Sequence, residues 1–559
     1  MERRPLPPVW QSLVVSFGTA TLGFGAPIHI GVIAYQLGGL ALLLLIVVYQ
    51  IVPTMLLFAG ERLLLRRCGA GRALALFRGL GFGLALLIFL RLLPQSVPFL
   101  AQSLAPTPIY TALMWIVAVG VVGGIVALHR HAIVRDYLTI IGVVSLFWTG
   151  IFAQQMGLFG RAWNPPQEPP PSASSRSAHS PPVFLLFFDG MGSDVLLRDG
   201  QIDAERFPHF SVLAQDSVFF IHATSNYGNT EYAFPTMLTG HWGHQREMYN
   251  VGTPSCPVGL ASVLNRWMGG SLCKGSSDFL QSPKNILSLL DQNGYRVVEY
   301  HGWFSCRSEH TLCKGRRWFS QRYPMHIVAA TGIGFLDGLI PKGRVFWGVR
   351  RLLWAPVAFT APQFFQDFLA DVHSASAPGT VFFIHVVLPH EPYVFDRHGV
   401  WRPPPPEDDL PAQMRAYERQ CQFVDTLLGQ FLEHLRTQGL YEQSIIVVTS
   451  DQGVRPLARW GIERPDAING MVPRVPLLIK APGLTPGIST VDYQHIDFKP
   501  TLLDILGLPP EEGLPGVSAF APERPTRPKI FYWGGIRYIA TDPTGQAPWV
   551  VEKHLGSGG

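Results

Sequence analysis

The first 160 residues contain five apolar stretches, and each approaches the ~20 residues that a helix needs to cross ~30 Å of hydrocarbon. The stretches cover residues 11–35, 39–59, 73–94, 110–128 and 137–157. Lipid satisfies no backbone polar group, so a chain that enters it must form its own hydrogen bonds as a helix. The sequence therefore predicts an N-terminal bundle of about five transmembrane helices within residues 1–160.

Positive charge alternates between the loops that join these stretches. Arginines precede the first stretch and occupy the second and fourth loops, namely Arg3, Arg4, Arg62, Arg66, Arg67, Arg72, Arg130 and Arg135. The loops at 36–39 and 94–108 contain no lysine or arginine. Because positive loops stay in the cytoplasm, this pattern predicts a multi-pass plasma (inner) membrane protein with a cytoplasmic N-terminus. Everything after residue 157 is then expected in the periplasm or outside the cell.

The composition changes after the last apolar stretch. Residues 161–182 are rich in proline and serine, which favours an extended linker. Residues 183–553 have the composition of a globular domain, and residues 554–559 end in Gly-Ser-Gly-Gly, which resembles a cloning remnant. The net charge of +5 is small for 559 residues and is not clustered, so we expect no nucleic-acid partner.

Short apolar runs alternate with helical patterns in residues 183–553. The runs cover residues 183–188, 380–390, 444–450 and 475–483, and the helical patterns cover 414–435 and 498–506. Strands that are apolar on both faces predict an α/β sheet covered by helices on both sides. Asp189 and Asp451 directly follow two of these strands, where ligands bind in such sheets. Taken singly, each aspartate is more typical of a turn or a helix N-cap than of a ligand.

Six segments in this half occur in the order found in a known superfamily. They are FFDGMGSDVL with Asp189, NTEYAFPTMLTGH with Thr230, IHVVLPHEPY with His385 and His390, TSDQG with Asp451 and Gln452, RVPLLIKAPG and HIDFKPTLLDILG. The chain resembles the alkaline phosphatase superfamily in its sulfatase and membrane phosphotransferase branch, which includes phosphoethanolamine and lipoteichoic acid phosphoglycerol transferases. The resemblance covers about 370 residues and implies a sulfatase-like α/β domain.

The resemblance implies a metal-dependent phosphoryl transfer with Thr230 as nucleophile. Asp189, Thr230, Asp451 and Gln452 would bind one divalent metal, and this all-oxygen set suits Mg, Ca or Mn better than Zn. His390 and His385 would hydrogen-bond the phosphoryl oxygens or protonate the leaving alcohol. The alternative for His385 is a buried structural histidine. The donor would be a membrane phospholipid, and the acceptor a lipid, a glycan or water.

Two departures from the family pattern bear on activity. Sulfatases oxidise a cysteine or serine to formylglycine, and Thr230 cannot give that aldehyde. Gln452 occupies the position of a metal-binding histidine in the transferases. This change leaves open an inactive sulfatase-fold membrane protein with a lipid-sensing, regulatory or scaffold role, for which we expect no metal.

Two further predictions concern the globular half. In an oxidising compartment, Cys306–Cys313 and Cys256–Cys273 are candidate disulfides and Cys421 remains unpaired; buried free thiols are the alternative. Residues 342–359 interleave basic and aromatic residues, which favours either a helix on the membrane surface or a segment packed on the domain.

Overall fold

The computed structural model describes residues 7–35, 39–68, 71–96, 108–129, 131–155, 180–245, 282–301, 312–314, 322, 325, 360–373, 378–406, 409–454, 473–533, 536–542, 544–545 and 549–554. The described helices up to residue 155 belong to one compact unit. The strands and helices named below from residue 180 onward belong to a second one, whereas residues 322 and 325 belong to the first.

The first unit consists of helices that coincide with the five apolar stretches. They are α1 (Val9–Tyr35), α2 (Gly39–Ile46), α3 (Val52–Cys68), α4 (Arg72–Ser96), α5 (Pro108–Ala127) and α6 (Ala132–Gln155), and a π-helical turn (Val47–Ile51) joins α2 to α3. By length and composition, three stretches of the described residues are apolar enough to cross a membrane: Leu43–Arg67, Arg72–Leu90 and Tyr110–Ala127. The predicted number of about five spans is therefore not confirmed.

Small residues and one ion pair hold these helices together. Helices α1 and α6 approach so closely that a Cβ on Gly142 would lie 2.2 Å from the carbonyl oxygen of Val14. Glu61 on α3 is buried and accepts hydrogen bonds from the guanidinium of Arg78 on α4. Close backbone packing at glycine and pairing of buried charges are typical of helices that pack in lipid.

The second unit is built on an eight-stranded sheet with the order β10-β4-β9-β8-β1-β7-β5-β6. The strands are β1 (Val183–Phe188), β4 (Val218–Phe220), β5 (Arg296–His301), β6 (Leu312–Lys314), β7 (Thr380–Val386), β8 (Ile445–Thr449), β9 (Leu477–Lys480) and β10 (Gly487–Ser489). The central strand β1 runs parallel to both of its neighbours, β7 and β8. Strand β9 runs antiparallel to β8 and β4, so the sheet is mixed.

Alternate side chains of the central strands pack against different layers of helices. On one face, Phe184 of β1 stacks on Phe382 of β7 and meets Phe431 of α11 (Leu410–Thr437). On the other face, Phe187 packs against Phe234 of α8 (Thr230–Thr239) and Phe498 of α12 (Phe498–Ile505). The apolar runs are thus buried on both sides, which confirms the predicted α/β sheet.

The remaining elements are short. They include β2 (Leu197–Arg198) and β3 (Gln201–Ile202), the helices α7 (Pro208–Gln215), α9 (Ile286–Gln292) and α10 (360–371), and the strands β11 (Lys529–Trp533), β12 (Ile536–Ala540) and β13 (Val550–His554). Strands β11, β12 and β13 form a separate antiparallel sheet.

A buried carboxylate on α11 positions the start of α7. Asp425 accepts hydrogen bonds from the backbone N–H of Phe210 at 2.8 Å and of His209 at 3.0 Å, and from the His209 ring at 2.7 Å. Burial raises the pKa of Asp425, while these donors oppose the shift. A Cβ on Gly429 would lie 2.4 Å from the His209 ring, so only glycine permits this approach.

We expect Asp425→Ala to lower the free energy of unfolding of the second unit by about 2–4 kcal/mol, because two backbone donors at the start of α7 and the imidazole lose a buried partner. Thermal unfolding of the full chain in detergent measures the change. Glu433→Ala, which removes an exposed carboxylate from the same helix, is the matched control. Equal melting temperatures for the two variants would contradict this role for Asp425.

Candidate active site

Three adjacent strands bring acidic and imidazole groups to one edge of the sheet. Asp189 follows β1, Asp451 follows β8, and His385 lies near the end of β7, on the same face as Phe187. All three are buried, and one ligand atom from each lies within 4.8 Å of the others. The His385 Nε2 atom is 3.4 Å from the Asp189 carboxylate. Asp189 and Asp451 thus meet as the sequence predicts, whereas the approach of His385 was not predicted.

Thr230, at the start of helix α8, contacts this group through Asp451. It is the first residue of α8, with Asn229 at the N-cap, and its hydroxyl donates to the Oδ2 atom of Asp451 at 2.6 Å. The end of α8 that carries Thr230 has a partial positive charge, which favours an anion beside the hydroxyl. Thr230 is half-buried, so a substrate can reach it.

Gln452 lies in the same cluster with its amide nitrogen toward Asp189. The Nε2 atom donates to the Oδ1 atom of Asp189 at 3.1 Å, and the residue is buried. The orientation of an amide is assigned from its hydrogen bonds, and a half-turn exchanges nitrogen for oxygen. As the amide is oriented, its nitrogen faces Asp189. To bind a cation held by Asp189 and Asp451, the amide would have to rotate so that its oxygen faces them.

His390 lies in the loop after β7 and approaches the turn that carries Asp189. Gly190 in this turn has φ +77°, and a Cβ there would lie 3.6 Å from the Cα of His390. The Nδ1 atom of His390 lies 2.6 Å from the carbonyl oxygen of Glu391, so Nδ1 carries the proton. That bond directs the ring and gives a neutral imidazole its lone pair at Nε2.

Hydroxyl groups fix the two turns that carry the aspartates. The Tyr417 hydroxyl accepts from the backbone N–H of Gly192 at 2.8 Å and donates to the carbonyl of Gly190 at 3.2 Å. The Ser450 hydroxyl accepts from the backbone N–H of Met191 at 2.9 Å. The sequence does not predict these contacts of Tyr417 and Ser450, because such common hydroxyl groups carry no local signal for long-range hydrogen bonds.

A second group, Glu299, His301 and Cys313, also has its ligand atoms within 4.8 Å of one another. Cys313 is disulfide-bonded, so its sulfur is not a thiolate ligand.

The other predicted disulfide cysteines lie outside the described residues. They are Cys306, the predicted partner of Cys313, and the pair Cys256 and Cys273. The segment 342–359 also lies outside the described residues, so these predictions remain predictions. Cys421 is free and buried, and burial raises the pKa of its thiol.

The residues at the three strand ends fit a divalent cation. Two buried carboxylates so close together are costly unless a positive charge neutralises them. The set predicted from sequence contained only oxygen ligands, whereas the structure adds the imidazole of His385. A mixed oxygen and nitrogen set extends the range of suitable ions from Mg and Ca toward Mn and Zn.

A sequence profile of the sulfatase family matches residues 181–508, more than half of the chain. The chain belongs to the sulfatase family. Members of this sulfatase-like fold use metal ions, in agreement with the cluster at the strand ends.

Curated relatives match only a part of the family domain. Choline-sulfatase of Rhizobium meliloti is 28% identical over 109 residues, which is 20% of this chain and 21% of the relative. Arylsulfatase K of Bos taurus is 31% identical over 18% of this chain and 19% of its own length. Lipoteichoic acid synthase 1 of Bacillus subtilis is 33% identical over 17% of this chain and 16% of its own length. The matched part thus spans about a fifth of each relative.

Solved structures resemble the chain more distantly. A phosphonate monoester hydrolase from Silicibacter pomeroyi is 17% identical, with a TM-score of 0.42, over 68% of this chain and 90% of that chain. A 2-O glycosaminoglycan sulfatase structure is 14% identical, with a TM-score of 0.42, over 65% of this chain and 81% of that chain.

We expect Tyr417→Phe to weaken binding of a divalent cation about tenfold, because loss of an outer hydrogen bond misplaces the turn of Asp189. Calorimetric titration of the full chain with Mn²⁺ measures the affinity. Tyr441→Phe, which removes the hydroxyl that bonds Asp216, is the control. Unchanged affinity in Tyr417→Phe together with an unchanged melting temperature would show that the hydroxyl does not position the site.

Proposed function

We propose that this chain is a membrane-bound, metal-dependent phosphotransferase. It moves a phospholipid head group, of the phosphoethanolamine or phosphoglycerol type, through a phosphothreonine intermediate to an extracytoplasmic lipid or glycan acceptor. With water as acceptor, the same chemistry hydrolyses a phosphodiester. The 2.6 Å hydrogen bond from Thr230 to Asp451 carries this proposal, because it couples the candidate nucleophile to a proton acceptor.

The first half-reaction forms a bond between the Thr230 oxygen and the phosphorus of the donor. The Thr230 proton passes to the Oδ2 atom of Asp451, and the bond from phosphorus to the leaving alcohol breaks. A divalent cation bound at Asp189, Asp451, His385 and the Gln452 oxygen would neutralise phosphate charge and lower the pKa of the hydroxyl.

The second half-reaction forms a bond between the acceptor oxygen and phosphorus and breaks the bond from phosphorus to the Thr230 oxygen, which takes its proton back from the Oδ2 atom of Asp451. His390 acts at this stage: its Nε2 atom accepts the proton of the attacking hydroxyl, while Nδ1 stays bound to the Glu391 carbonyl. In the first half-reaction the ring would begin protonated and donate a proton from Nε2 to the leaving alcohol, which leaves a lone pair at Nε2 for the second half-reaction. The ring therefore needs no rearrangement between the two steps.

The membrane helices support a lipid donor. Three stretches are apolar enough to cross a bilayer, which would keep the catalytic domain near its substrate. One relative is named a lipoteichoic acid synthase, and another a choline-sulfatase. Thr230 favours the first kind of chemistry, because it cannot be converted to the formylglycine of sulfatases.

A second candidate function follows from the orientation of Gln452. Its amide nitrogen donates to Asp189 and neutralises part of that charge without an ion. A protein that keeps this arrangement would be an inactive sulfatase-fold membrane protein with a lipid-sensing, regulatory or scaffold role.

We expect Thr230→Ala to lower head-group release by at least about a thousandfold, since the variant loses the attacking oxygen. The assay follows labelled phosphatidylethanolamine and phosphatidylglycerol with the full chain in detergent, in the presence of Mg, Ca, Mn or Zn. Thr230→Ser is the matched variant and should retain activity, because it keeps the hydroxyl.

Thr236→Ala, on the same helix, controls for damage to α8, since the Thr236 hydroxyl bonds only the backbone of Tyr232 and Gly243 in the contacts described. Head-group release by Thr230→Ala at the wild-type rate would contradict the role of Thr230 as nucleophile. A wild type that is inert with every donor and ion would favour the second candidate function.

A further inference from the structure

An aromatic cluster lies beside the nucleophile, and the reaction above makes no use of it. Its members are Tyr227, Tyr232, Trp242, His244 and Tyr532. The rings of Tyr227 and Tyr532 stack with centroids 5.1 Å apart. The His244 ring lies 4.8 Å from Tyr532, and the Trp242 ring meets Tyr532 edge-on at 5.7 Å.

Backbone pairing with β11 fixes this cluster against the nucleophile segment. The Tyr532 N–H donates to the carbonyl of Asn226 at 2.8 Å, and the Gly228 N–H donates to the carbonyl of Tyr532 at 3.1 Å. A Cβ on Gly228 would lie 3.0 Å from the Trp533 ring, so the indole packs directly on the backbone. Tyr227 precedes Thr230 by three residues, which limits their Cα separation to about 10 Å.

Most of the aromatic cluster is accessible to a ligand. Tyr227 is buried, whereas the other four members are half-buried. Aromatic side chains grouped at a surface beside a reactive residue are typical of a binding site. The Tyr227 hydroxyl lies 2.7 Å from the Nδ1 atom of His244, which holds the tyrosine and the imidazole in place.

An acidic group lies near the cluster. Glu231 is exposed and directly follows Thr230. The cation near the cluster, Arg537, is ion-paired with Glu552 at 2.8 Å. Burial lowers the pKa of His244, and Arg537 has a smaller effect in the same direction. Aromatic faces with a nearby carboxylate are features that attract an ammonium group.

We propose that the aromatic cluster binds the ammonium group of an amino-alcohol phosphate while the phosphate lies at Thr230. This subsite rests on the proposed function and decides between its two head groups, because glycerol carries no charge for the rings and Glu231 to attract. The donor is then of the phosphoethanolamine type.

The test compares binding of two soluble probes, phosphoethanolamine and glycerol 3-phosphate, to the metal-loaded full chain in detergent by calorimetry. Wild type should bind phosphoethanolamine more tightly. Tyr232→Leu and Trp242→Leu should each weaken phosphoethanolamine binding about twofold to fivefold, the equivalent of one half-exposed cation–π contact, and leave glycerol 3-phosphate unchanged. Glu231→Gln should act in the same direction. Trp401→Leu removes an exposed tryptophan outside the cluster and serves as the control.

Equal affinities of the two probes in wild type would overturn the proposal, and so would variants that change both affinities or neither. In that last case the cluster only anchors β11. The readout needs no turnover, so the proposed function and the subsite fail separately. A protein that is inert but still discriminates between the probes loses the reaction and keeps the subsite.

Discussion

The close approach of two buried carboxylates, Asp189 and Asp451, is the constraint on which the rest of the site depends. Like charges repel strongly away from water, so the fold must supply donors or a cation to keep them together. The structure supplies donors on every side: the hydroxyl of Thr230, the amide of Gln452 and the backbone N–H of Gly190 at 3.3 Å from Asp451. The proposed function uses one of these donors, the hydroxyl of Thr230, as the nucleophile.

Sheet topology creates this proximity. Strand β1 lies between β7 and β8 and is parallel to both, so three carboxyl ends meet at one edge. Phenylalanines pack on both faces of β1, against β7 and α11 on one face and against β7 and α8 on the other. The turns beyond the strands are then held by Tyr417 and Ser450, which come from separate parts of the chain. A site on rigid strand ends with bonded turns is preorganised, which is what electrostatic catalysis requires.

Local patterns were sufficient to predict β1, β7, β8 and β9 and the meeting of Asp189 with Asp451, because apolar runs that end in a polar turn carry their own signal. The other strands of the same sheet, β4, β5, β6 and β10, were not predicted. The nucleophile position came from resemblance, since nothing in the chemistry of one threonine distinguishes it. The place of His385 beside Asp189 depends on strand register, and the orientation of Gln452 depends on its tertiary partners; neither is encoded locally.

The sheet of β11–β13 was not predicted from the sequence, because its pairing with residues 226–228 joins segments about 300 residues apart. In the membrane half, hydropathy located the helices, but the number that cross the bilayer is not confirmed beyond the three apolar stretches.

The central claim is that Thr230 carries the phosphoryl group between donor and acceptor. Rapid quenching of the full chain after mixing with phosphatidylethanolamine and a divalent ion, followed by peptide mass spectrometry, tests it directly. We predict a phosphoethanolamine adduct on the peptide that contains Thr230. The adduct should form before the phosphoethanolamine-modified acceptor appears, and it should disappear when acceptor is added. Product formation with no adduct on that peptide at any time would contradict it, because head-group transfer would then proceed without Thr230.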